Sequence, residues 1–376
     1  YRGLILYLSP EVVNVLSELG AANALELVVL TALSSAVCAL LIVLSLRAPF
    51  LDRHGARLRA VQAAHTRPTP RIGGVAVFAA FGASYFLVPS AVVDGYGRFV
   101  AACAVLFFVG LLEDLGFGIS PRNRLFAAVV ASLTAIWLLG VWLPRSDIPW
   151  LDHLMPHWAI GVPITLLVTV GMANGFNLID GVNGLAGLTA LAATAALGLI
   201  SYQAEYTIMV ELTMLLAAGI LGFFLLNYPF GLIFLGDAGA YTLGFVLSWF
   251  GIAVLIRVPD ASPWAILLTM YWPVADTVLA MYRRSRRKAS TTAPDRLHVH
   301  QMVMRALEIC VLGQGKRHIA NPLSTLVLAP FVLAPPIAGV LLWNHSSASM
   351  VAVSVFSCLF FSSYVVMPVI IRRFRR

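Results

Sequence analysis

The sequence predicts an all-α, polytopic integral membrane protein, and two observations support this fold class. The 376 residues are 60% hydrophobic, only 11% are charged, and the mean hydropathy is +0.88. Apolar runs of about 17 to 25 residues recur from end to end, and each can cross a hydrocarbon core roughly 30 Å thick. These runs lack the alternating pattern of a membrane β-barrel. We therefore expect a single transmembrane domain over residues 1–376 with about 11 transmembrane helices.

Eleven segments are predicted as spans because polar residues interrupt the apolar pattern between them. The predicted spans are residues 24–46, 72–90, 98–112, 122–141, 159–175, 185–202, 207–227, 239–256, 263–282, 322–342 and 350–371. The connections predicted to face the cytoplasm are residues 47–71, 113–121, 174–184, 228–238 and 283–321.

The basic residues fix the predicted orientation of these spans. With residues 47–71 in the cytoplasm, 21 of the 25 Lys and Arg residues lie on the cytoplasmic side, as the positive-inside rule requires. An odd number of spans then places the N-terminus outside and the C-terminus in the cytoplasm. This topology and contact with anionic membrane lipid explain the formal charge of +8, so no nucleic-acid partner is expected.

Four polar clusters interrupt the apolar pattern, and the predicted topology places all of them on the cytoplasmic face. They are GLLEDLGFG (110–118), NGFNLIDGVNGL (174–185), FLGDAGAYTLGF (234–245) and DRLHVHQ (295–301). Polar groups near a bilayer are expensive and usually mark a functional site. Segments that are distant in sequence therefore assemble one candidate site.

The residue types in these clusters suit phosphate chemistry. Mg²⁺ prefers a few carboxylate or amide oxygens together with substrate phosphates, and Arg and His suit the charge of a diphosphate. Oxygens of this kind are present at Glu113, Asp114, Asn177, Asp180 and Asp237. Phosphoryl transfer depends mainly on positioning and on neutralising charge. The clusters therefore indicate transfer of a phosphorylated group onto a lipid phosphate.

The same residues also have plain structural interpretations. Glu113 on its own is typical of an acidic residue at a solvated helix end. Asp180 is consistent with a tight turn in a re-entrant connection. Asp276 is expected to pair with Arg283 or Arg284, one to two helical turns later. It is the four clusters on one face, and no single residue, that favour a site.

From about residue 60 to residue 310 the chain resembles the polyprenyl-phosphate N-acetylhexosamine-1-phosphate transferase superfamily, and within it the WecA-like branch of glycosyltransferase family 4. The matching segments, in chain order, are HTRPTPRIGG (65–74), LLEDLGFGISPRNRL (111–125), NGFNLIDGVNGL (174–185), FLGDAGA (234–240) and DRLHVHQMVMRA (295–306). The third segment has the family's NxxNxxDGxxGL pattern and is the most specific of the five.

The resemblance implies an Mg²⁺-dependent enzyme, with Mn²⁺ as an alternative ion. Such enzymes transfer a sugar 1-phosphate from a UDP-N-acetylhexosamine, by default UDP-GlcNAc, to undecaprenyl phosphate and release UMP. The lipid-linked product starts a surface glycan such as O-antigen lipopolysaccharide or capsule. The resemblance further implies a multi-pass protein of the bacterial inner membrane with a cytoplasmic active site, and a homodimer is consistent with it.

Site roles also follow from the resemblance, residue by residue. The implied metal-associated residues are Asp237 and Asn177. The implied catalytic acids are Asp114, Glu113 and Asp180. The implied substrate-binding residues are Asn174, Asn183, Arg296, His298, His300 and Arg71. Direct attack by the lipid phosphate is favoured over an aspartyl-phosphate at Asp114, because an anionic nucleophile mainly needs charge compensation.

Three positions depart from the family pattern. Glu113 stands where the first Asp of an acidic pair is usual, and Ala240 stands where the GDAGS pattern has Ser. Gln301 replaces the second of two adjacent His, which weakens the likeness to the muramoyl-pentapeptide branch. The three aspartates of the pattern are present, so an active enzyme is expected.

Two other functions remain open from sequence. A secondary transporter also shows buried acids and broken helices, but its site lies near the bilayer midplane and its halves are often related by an internal repeat. Here the acids lie at one face and no such repeat is visible. An inactive scaffold subunit of a glycan-assembly complex is the other alternative, and the Glu113 and Ala240 departures are its support.

Overall fold

The computed structural model describes residues 21–47, 69–287, 298–313 and 315–374, and every regular element in these ranges is helical. We number the helices α1 to α14 in chain order. They are α1 (Ala21–Arg47), α2 (Gly74–Ala83), α3 (Val93–Asp114), α4 (Pro121–Leu139), α5 (Pro149–Asp152), α6 (Trp158–Ile179), α7 (Leu185–Gln203), α8 (Thr207–Asn227), α9 (Gly236–Arg257), α10 (Pro263–Thr269), α11 (Tyr271–Arg287), α12 (Val299–Ala306), α13 (Arg317–Leu341) and α14 (Ser346–Phe374).

The all-α membrane architecture predicted from the sequence is confirmed. In the described part of the chain, nine helices are long and apolar enough to cross a membrane, namely α1, α3, α4, α6, α7, α8, α9, α13 and α14. The two predicted spans that do not form one full-length helix are 72–90 and 263–282. The exact number of spans and the orientation of the termini stay predictions.

The predicted span 72–90 is shorter than expected because its first residues are bonded to another loop. The N–H of Gly73 donates to the carbonyl of Phe234 at 2.7 Å, and the N–H of Gly74 donates to that of Leu235 at 2.8 Å. Helix α2 therefore begins only at Gly74, and a 3-10 turn over Ser84–Phe86 follows it. The predicted cytoplasmic segments 47–71 and 228–238 meet next to this contact, where the N–H of Phe234 donates to the carbonyl of Pro70 at 2.9 Å.

The predicted span 263–282 is bent by 86° between α10 and α11. Pro273 lies in the first turn of α11, where its ring nitrogen cannot donate to the carbonyl of Thr269 and its ring crowds that carbonyl. A hydropathy average does not register this steric effect, and so the sequence pattern predicted one straight span. The bend sets the direction of α11, which carries Asp276.

Helix α9 is the centre of the molecule. Among the candidate spans it is the most buried, with 89% of its apolar window buried compared with 6% for α14. It contacts α2, α3, α6 and α7. Its residues are apolar or small around the whole circumference, as expected for a helix surrounded by protein. The core therefore surrounds the helix whose first turn carries Asp237.

Close packing of α9 on α6 depends on Gly244. A Cβ at this position would lie 2.5 Å from the carbonyl oxygen of Met172 and 2.8 Å from the Cα of Ala173. We expect Gly244→Ala to force the two helices apart and to lower the free energy of unfolding by about 1–3 kcal/mol. The measurement is the thermal midpoint Tm of the purified protein in detergent.

The matched control is Gly171→Ala on the facing helix, because nothing lies within 4 Å of the Cβ that it would add. Alanine is also the better helix former, so this variant should keep or slightly raise Tm. Equal Tm values for Gly244→Ala and Gly171→Ala would contradict the packing described here.

Candidate active site

Three of the four polar clusters that the sequence places on one face meet at the N-terminus of α9. Helix α3 ends at Asp114, α6 ends immediately before Asp180, and α9 carries Asp237 in its first turn. All three carboxylates are buried, with exposed fractions of 5%, 7% and 6%. The predicted convergence of these three distant segments is thus seen directly in their contacts.

Asp114 holds the start of α9. Its Oδ1 accepts the N–H of Asp237 and its Oδ2 accepts the N–H of Ala238, both at 2.8 Å. First-turn N–H groups have no acceptor within their own helix, and the helix dipole places partial positive charge there. The carboxylate therefore ties the end of α3 to α9 and fixes the backbone that carries Asp237.

Asp180 makes the corresponding contact one residue earlier. Its Oδ2 accepts the N–H of Gly236 at 3.0 Å and lies 3.9 Å from Nη2 of Arg71. Burial raises the pKa of Asp180 to about 6, although the charge of Arg71 and the Gly236 N–H act in the opposite direction. The charge of this carboxyl therefore changes close to physiological pH.

Gly236 is required at the junction of these contacts. Its φ of +69° lies in the left-handed region that residues with a side chain avoid. A Cβ here would overlap the carbonyl oxygen of Arg71 and would lie 2.6 and 2.7 Å from the two carboxylate oxygens of Asp114. The absence of a side chain at Gly236 therefore lets the protein's own carboxylate approach this turn.

Asp237 contacts the guanidinium of Arg124, a residue in the first turn of α4. That helix begins at Pro121 after Ser120, whose hydroxyl accepts the N–H of Asn123 at 3.2 Å, so the cap fixes where Arg124 projects. The sequence pattern assigned no site role to Arg124, which is one of the basic residues on the predicted cytoplasmic side. The available signal was its position ten residues after the acidic pair, within the segment that resembles the family.

Asn177 presents a buried oxygen close to this point. Its Nδ2 donates to the hydroxyl of Tyr241 at 3.2 Å, and Tyr241 lies one helical turn after Asp237. The Oδ1 of Asn177 is buried and has no hydrogen-bond partner within the described ranges. An unpaired buried acceptor costs about 1–3 kcal/mol, so this oxygen is available for a ligand.

The donor set fits a sparse divalent-cation site. Within the described ranges no group of three or more His, Cys, Asp and Glu side chains is arranged so that it could hold a metal ion. Mg²⁺ needs only one or two protein carboxylates, since waters and substrate phosphates complete its shell. Asp237 with the unpaired Oδ1 of Asn177 meets that requirement.

Glu113 and Arg71 lie at the same cluster. Glu113 is buried, and its charge acts on both Arg124 and Tyr241, which places it on the Asp237 side. The Arg71 side chain is 45% exposed, so it forms an accessible edge of the cluster. The cluster thus combines buried acids with an accessible cation.

The two remaining asparagines bond to the protein itself. Nδ2 of Asn174 donates to the carbonyl of Val170 at 2.8 Å, and Nδ2 of Asn183 donates to that of Pro229 at 2.9 Å. The Asn183 N–H also donates to Oδ1 of Asn321 at 2.8 Å. Helix α6 continues to Ile179, so Asn174 lies on a helix within the predicted connection 174–184. Substrate binding by either residue stays a prediction.

The basic segment after α11 is described from His298 onward, and Arg296 lies outside the described residues. His298 is the N-terminal flanking residue of α12, and His300 lies in its first turn. Both are buried, with exposed fractions of 4% and 0%. A Cβ on Gly181 would lie 3.3 Å from Nε2 of His300, so this ring packs against the turn that follows Asp180.

Comparison with known proteins identifies the family of the chain. Residues 97–255, which contain the three aspartates of the cluster, match the family described as glycosyl transferase family 4. The chain is 30% identical over 258 residues to the undecaprenyl-phosphate alpha-N-acetylglucosaminyl 1-phosphate transferase of Salmonella typhi, covering 64% of this chain and 67% of that protein.

Two further relatives carry the same kind of name. The Escherichia coli K12 protein of the same name is 30% identical over 262 residues, again covering 64% of this chain and 67% of the relative. A probable undecaprenyl-phosphate N-acetylglucosaminyl 1-phosphate transferase of Bacillus subtilis is 24% identical over 241 residues, with the same coverage. The chain therefore belongs to glycosyl transferase family 4, within the polyprenyl-phosphate N-acetylhexosamine-1-phosphate transferase superfamily that its motifs resemble.

Proposed function

We propose that the chain transfers N-acetylhexosamine 1-phosphate, with GlcNAc 1-phosphate as the first candidate, from a UDP-sugar to undecaprenyl phosphate. The observation that carries this proposal is the convergence of Asp114, Asp180 and Asp237 on the first turn of α9. The names of the relatives support the lipid acceptor and the sugar phosphate. The products are UMP and a lipid-linked diphospho-sugar.

The reaction is a direct displacement at the β-phosphorus. An oxygen of the lipid phosphate forms a bond to that phosphorus, the bond to the α–β bridging oxygen breaks, and UMP leaves with the bridging oxygen. Nucleophile and electrophile are both anionic, so the main requirement is fixed positive charge. Arg71 at the edge of the cluster and Arg124 beside Asp237 supply it.

Asp237 and Asn177 would hold Mg²⁺, or Mn²⁺ in its place. A bound ion would supply positive charge to offset that of the diphosphate and of the departing phosphate. Tyr241 accepts a hydrogen bond from Nδ2 of Asn177. Oδ1 of the same amide has no hydrogen-bond partner within the described ranges and is therefore available to the ion. Glu113 and Arg124 complete the charge balance on the same side of the first turn of α9.

Asp114 acts as a positioning carboxylate. Both of its oxygens accept backbone N–H groups of α9, and this engagement makes the carboxylate a poor nucleophile. A lipid phosphate that is already anionic needs little help from a base. Single displacement without an aspartyl-phosphate intermediate is therefore the mechanism that the contacts favour.

The reaction takes place at the cytoplasmic face of the bacterial inner membrane. The distribution of Lys and Arg puts the connections that carry the acids on that side. The lipid-linked product then starts a surface glycan such as O-antigen or capsule. A homodimer is compatible with this function, and a transporter is disfavoured because the acids lie at helix ends rather than mid-span.

The first test is an assay of purified protein with undecaprenyl phosphate, Mg²⁺ and a panel of UDP-sugars. We expect UMP release with a UDP-N-acetylhexosamine. Asp237→Ala should lower kcat by at least about 100-fold, since it removes a metal-associated carboxylate.

The matched control is Asp260→Asn, an exposed acid beyond the opposite end of α9, which should behave as wild type. No UMP release from the wild-type protein with any sugar would overturn the proposed function. Full activity of Asp237→Ala would overturn the assignment of the site.

The second test uses the titration of Asp180. The carboxylate form holds Arg71 and the Gly236 N–H, and it is lost as the pH falls through about 6, so kcat/KM should fall on the acid side of this value. Arg71→Gln removes a charge that lowers the pKa of Asp180. The acid limb should therefore move to higher pH, by about 0.5 to 1 unit.

The phosphates of the substrates titrate identically for wild type and variant, so a shift between the two pH profiles reports on the protein. Superimposable acid limbs, after scaling for the lower rate of Arg71→Gln, would contradict the coupling between Arg71 and Asp180.

A further inference from the structure

A buried carboxylate outside the acidic cluster, Asp276, lies beside the two histidines of the HVH segment. It belongs to α11 and is 0% exposed. Helices α6 and α11 approach closely at this level, since a Cβ on Gly175 would lie 3.0 Å from the carbonyl oxygen of Pro273 and 3.0 Å from Oγ1 of Thr277. This close packing places Asp276 next to the last turns of α6, the helix that ends immediately before Asp180.

The hydrogen bond that the structure describes for Asp276 is to a histidine, whereas the sequence pattern suggested Arg283 or Arg284; the side chain of Arg284 lies outside the described residues. Nδ1 of His298 lies 2.8 Å from Oδ2 of Asp276, and Nδ1 of His300 lies 4.0 Å from the same oxygen. The charge of Arg283, which is also buried, acts on Asp276 as well. Helical spacing predicted a local pair, whereas a ring 22 residues away makes the hydrogen bond.

The two imidazole rings form a stacked pair over this carboxylate. Their centroids are 5.5 Å apart and their planes differ by 16°. His298 has an extended backbone before the helix begins, and His300 lies in the first turn, so both rings project to the same side. One carboxylate thus faces both rings of the segment that the sequence assigns to the diphosphate.

The hydrogen bond decides which atom of His298 can meet a ligand. A carboxylate accepts, so Nδ1 of His298 carries a proton and only Nε2 remains for a substrate. A carboxylate that bonds one ring nitrogen in this way fixes both the tautomer and the ring orientation. Oδ1 of Asp276 has no hydrogen-bond partner within the described ranges, and an apolar side chain would be cheaper to bury there.

The histidine pair is continuous with the acidic cluster. The ring of His300 packs against Gly181, the residue after Asp180. Burial lowers the pKa of His300 to about 4, so this ring is neutral at physiological pH. His300 therefore acts as a neutral spacer between Asp276 and the turn, and His298 is the ring that the carboxylate directly orients.

We propose that Asp276 is a positioning residue for the transfer reaction, which holds the His298 ring through Nδ1 so that Nε2 faces the diphosphate of the nucleotide sugar. This inference rests on the proposed function and adds a residue that lies outside its acidic cluster. Asp276 acts through His298 and does not itself touch substrate. Its loss should therefore affect nucleotide-sugar use more than lipid use.

The experiment compares wild type, Asp276→Asn, His298→Gln and the double variant in steady-state assays with the UDP-sugar that supports UMP release. Asp276→Asn keeps the shape but loses the charge, and should lower kcat/KM for the nucleotide sugar on the order of 10-fold to 100-fold. KM for undecaprenyl phosphate should stay within about 2-fold of wild type, since the variant leaves the lipid side untouched.

Non-additivity separates positioning from a general structural role. If Asp276 acts through His298, the double variant should lose no more activity than His298→Gln alone. Asp276→Glu, which restores the charge, should recover part of the kcat/KM that Asp276→Asn loses. Asp260→Asn is the control for removal of an acid elsewhere, and Tm is recorded for every variant.

Each outcome supports or overturns the inference. Multiplicative losses in the double variant overturn it, as does wild-type kcat/KM in Asp276→Asn. An equal rise in KM for both substrates with a lowered Tm also overturns it, because that pattern is a structural effect. In these cases wild type still releases UMP, so the proposed function stands. Absence of UMP release from wild type overturns the proposed function, and this inference with it.

Discussion

The carboxylate of Asp114 bound to the first-turn N–H groups of α9 is the contact on which the rest of the site depends. It joins the end of α3 to the most buried helix and orients the backbone of Asp237. Asp180 accepts the N–H of Gly236, the residue before Asp237. Only a glycine fits at this position, between the Asp114 carboxylate and the Arg71 carbonyl. A change at any of these positions would move the carboxylate of Asp237.

The charge balance at this point explains both the stability of the cluster and its preference for ligands. Three buried carboxylates within hydrogen-bond reach of one helix start would repel one another. The partial positive charge of the helix N-terminus and the guanidinium groups of Arg71 and Arg124 offset that repulsion. The proposed divalent cation would add to the same balance, and the diphosphate of the proposed substrate would be attracted by the arginines at the edge of the cluster. The arrangement therefore suits phosphate transfer better than passive support.

The sequence predicted the parts of the fold and site that depend on composition and order along the chain. Hydropathy located the helices, and the placement of polar clusters between them led to Asp114, Asp180 and Asp237. Features that depend on tertiary approach were missed, such as the contact of Arg124 with Asp237 and that of His298 with Asp276. Local helical spacing favoured Arg283 or Arg284 as the partner of Asp276. A sequence pattern does not show that folding brings the His298 ring from another segment. Pro273 was the sequence signal for the bend before α11. A hydropathy average over the segment does not detect that this one residue lacks a backbone N–H.

The most direct measurement follows the β-phosphate of the nucleotide sugar. Purified protein is incubated with undecaprenyl phosphate, Mg²⁺ and the UDP-N-acetylhexosamine that supports UMP release, labelled at the β-phosphorus, and the label is traced in lipid and aqueous products. Transfer of a sugar 1-phosphate predicts label in the lipid and none in the released UMP. Label that stays in water-soluble UDP, with unlabelled sugar on the lipid, would show transfer of the sugar alone and would contradict displacement at the β-phosphorus.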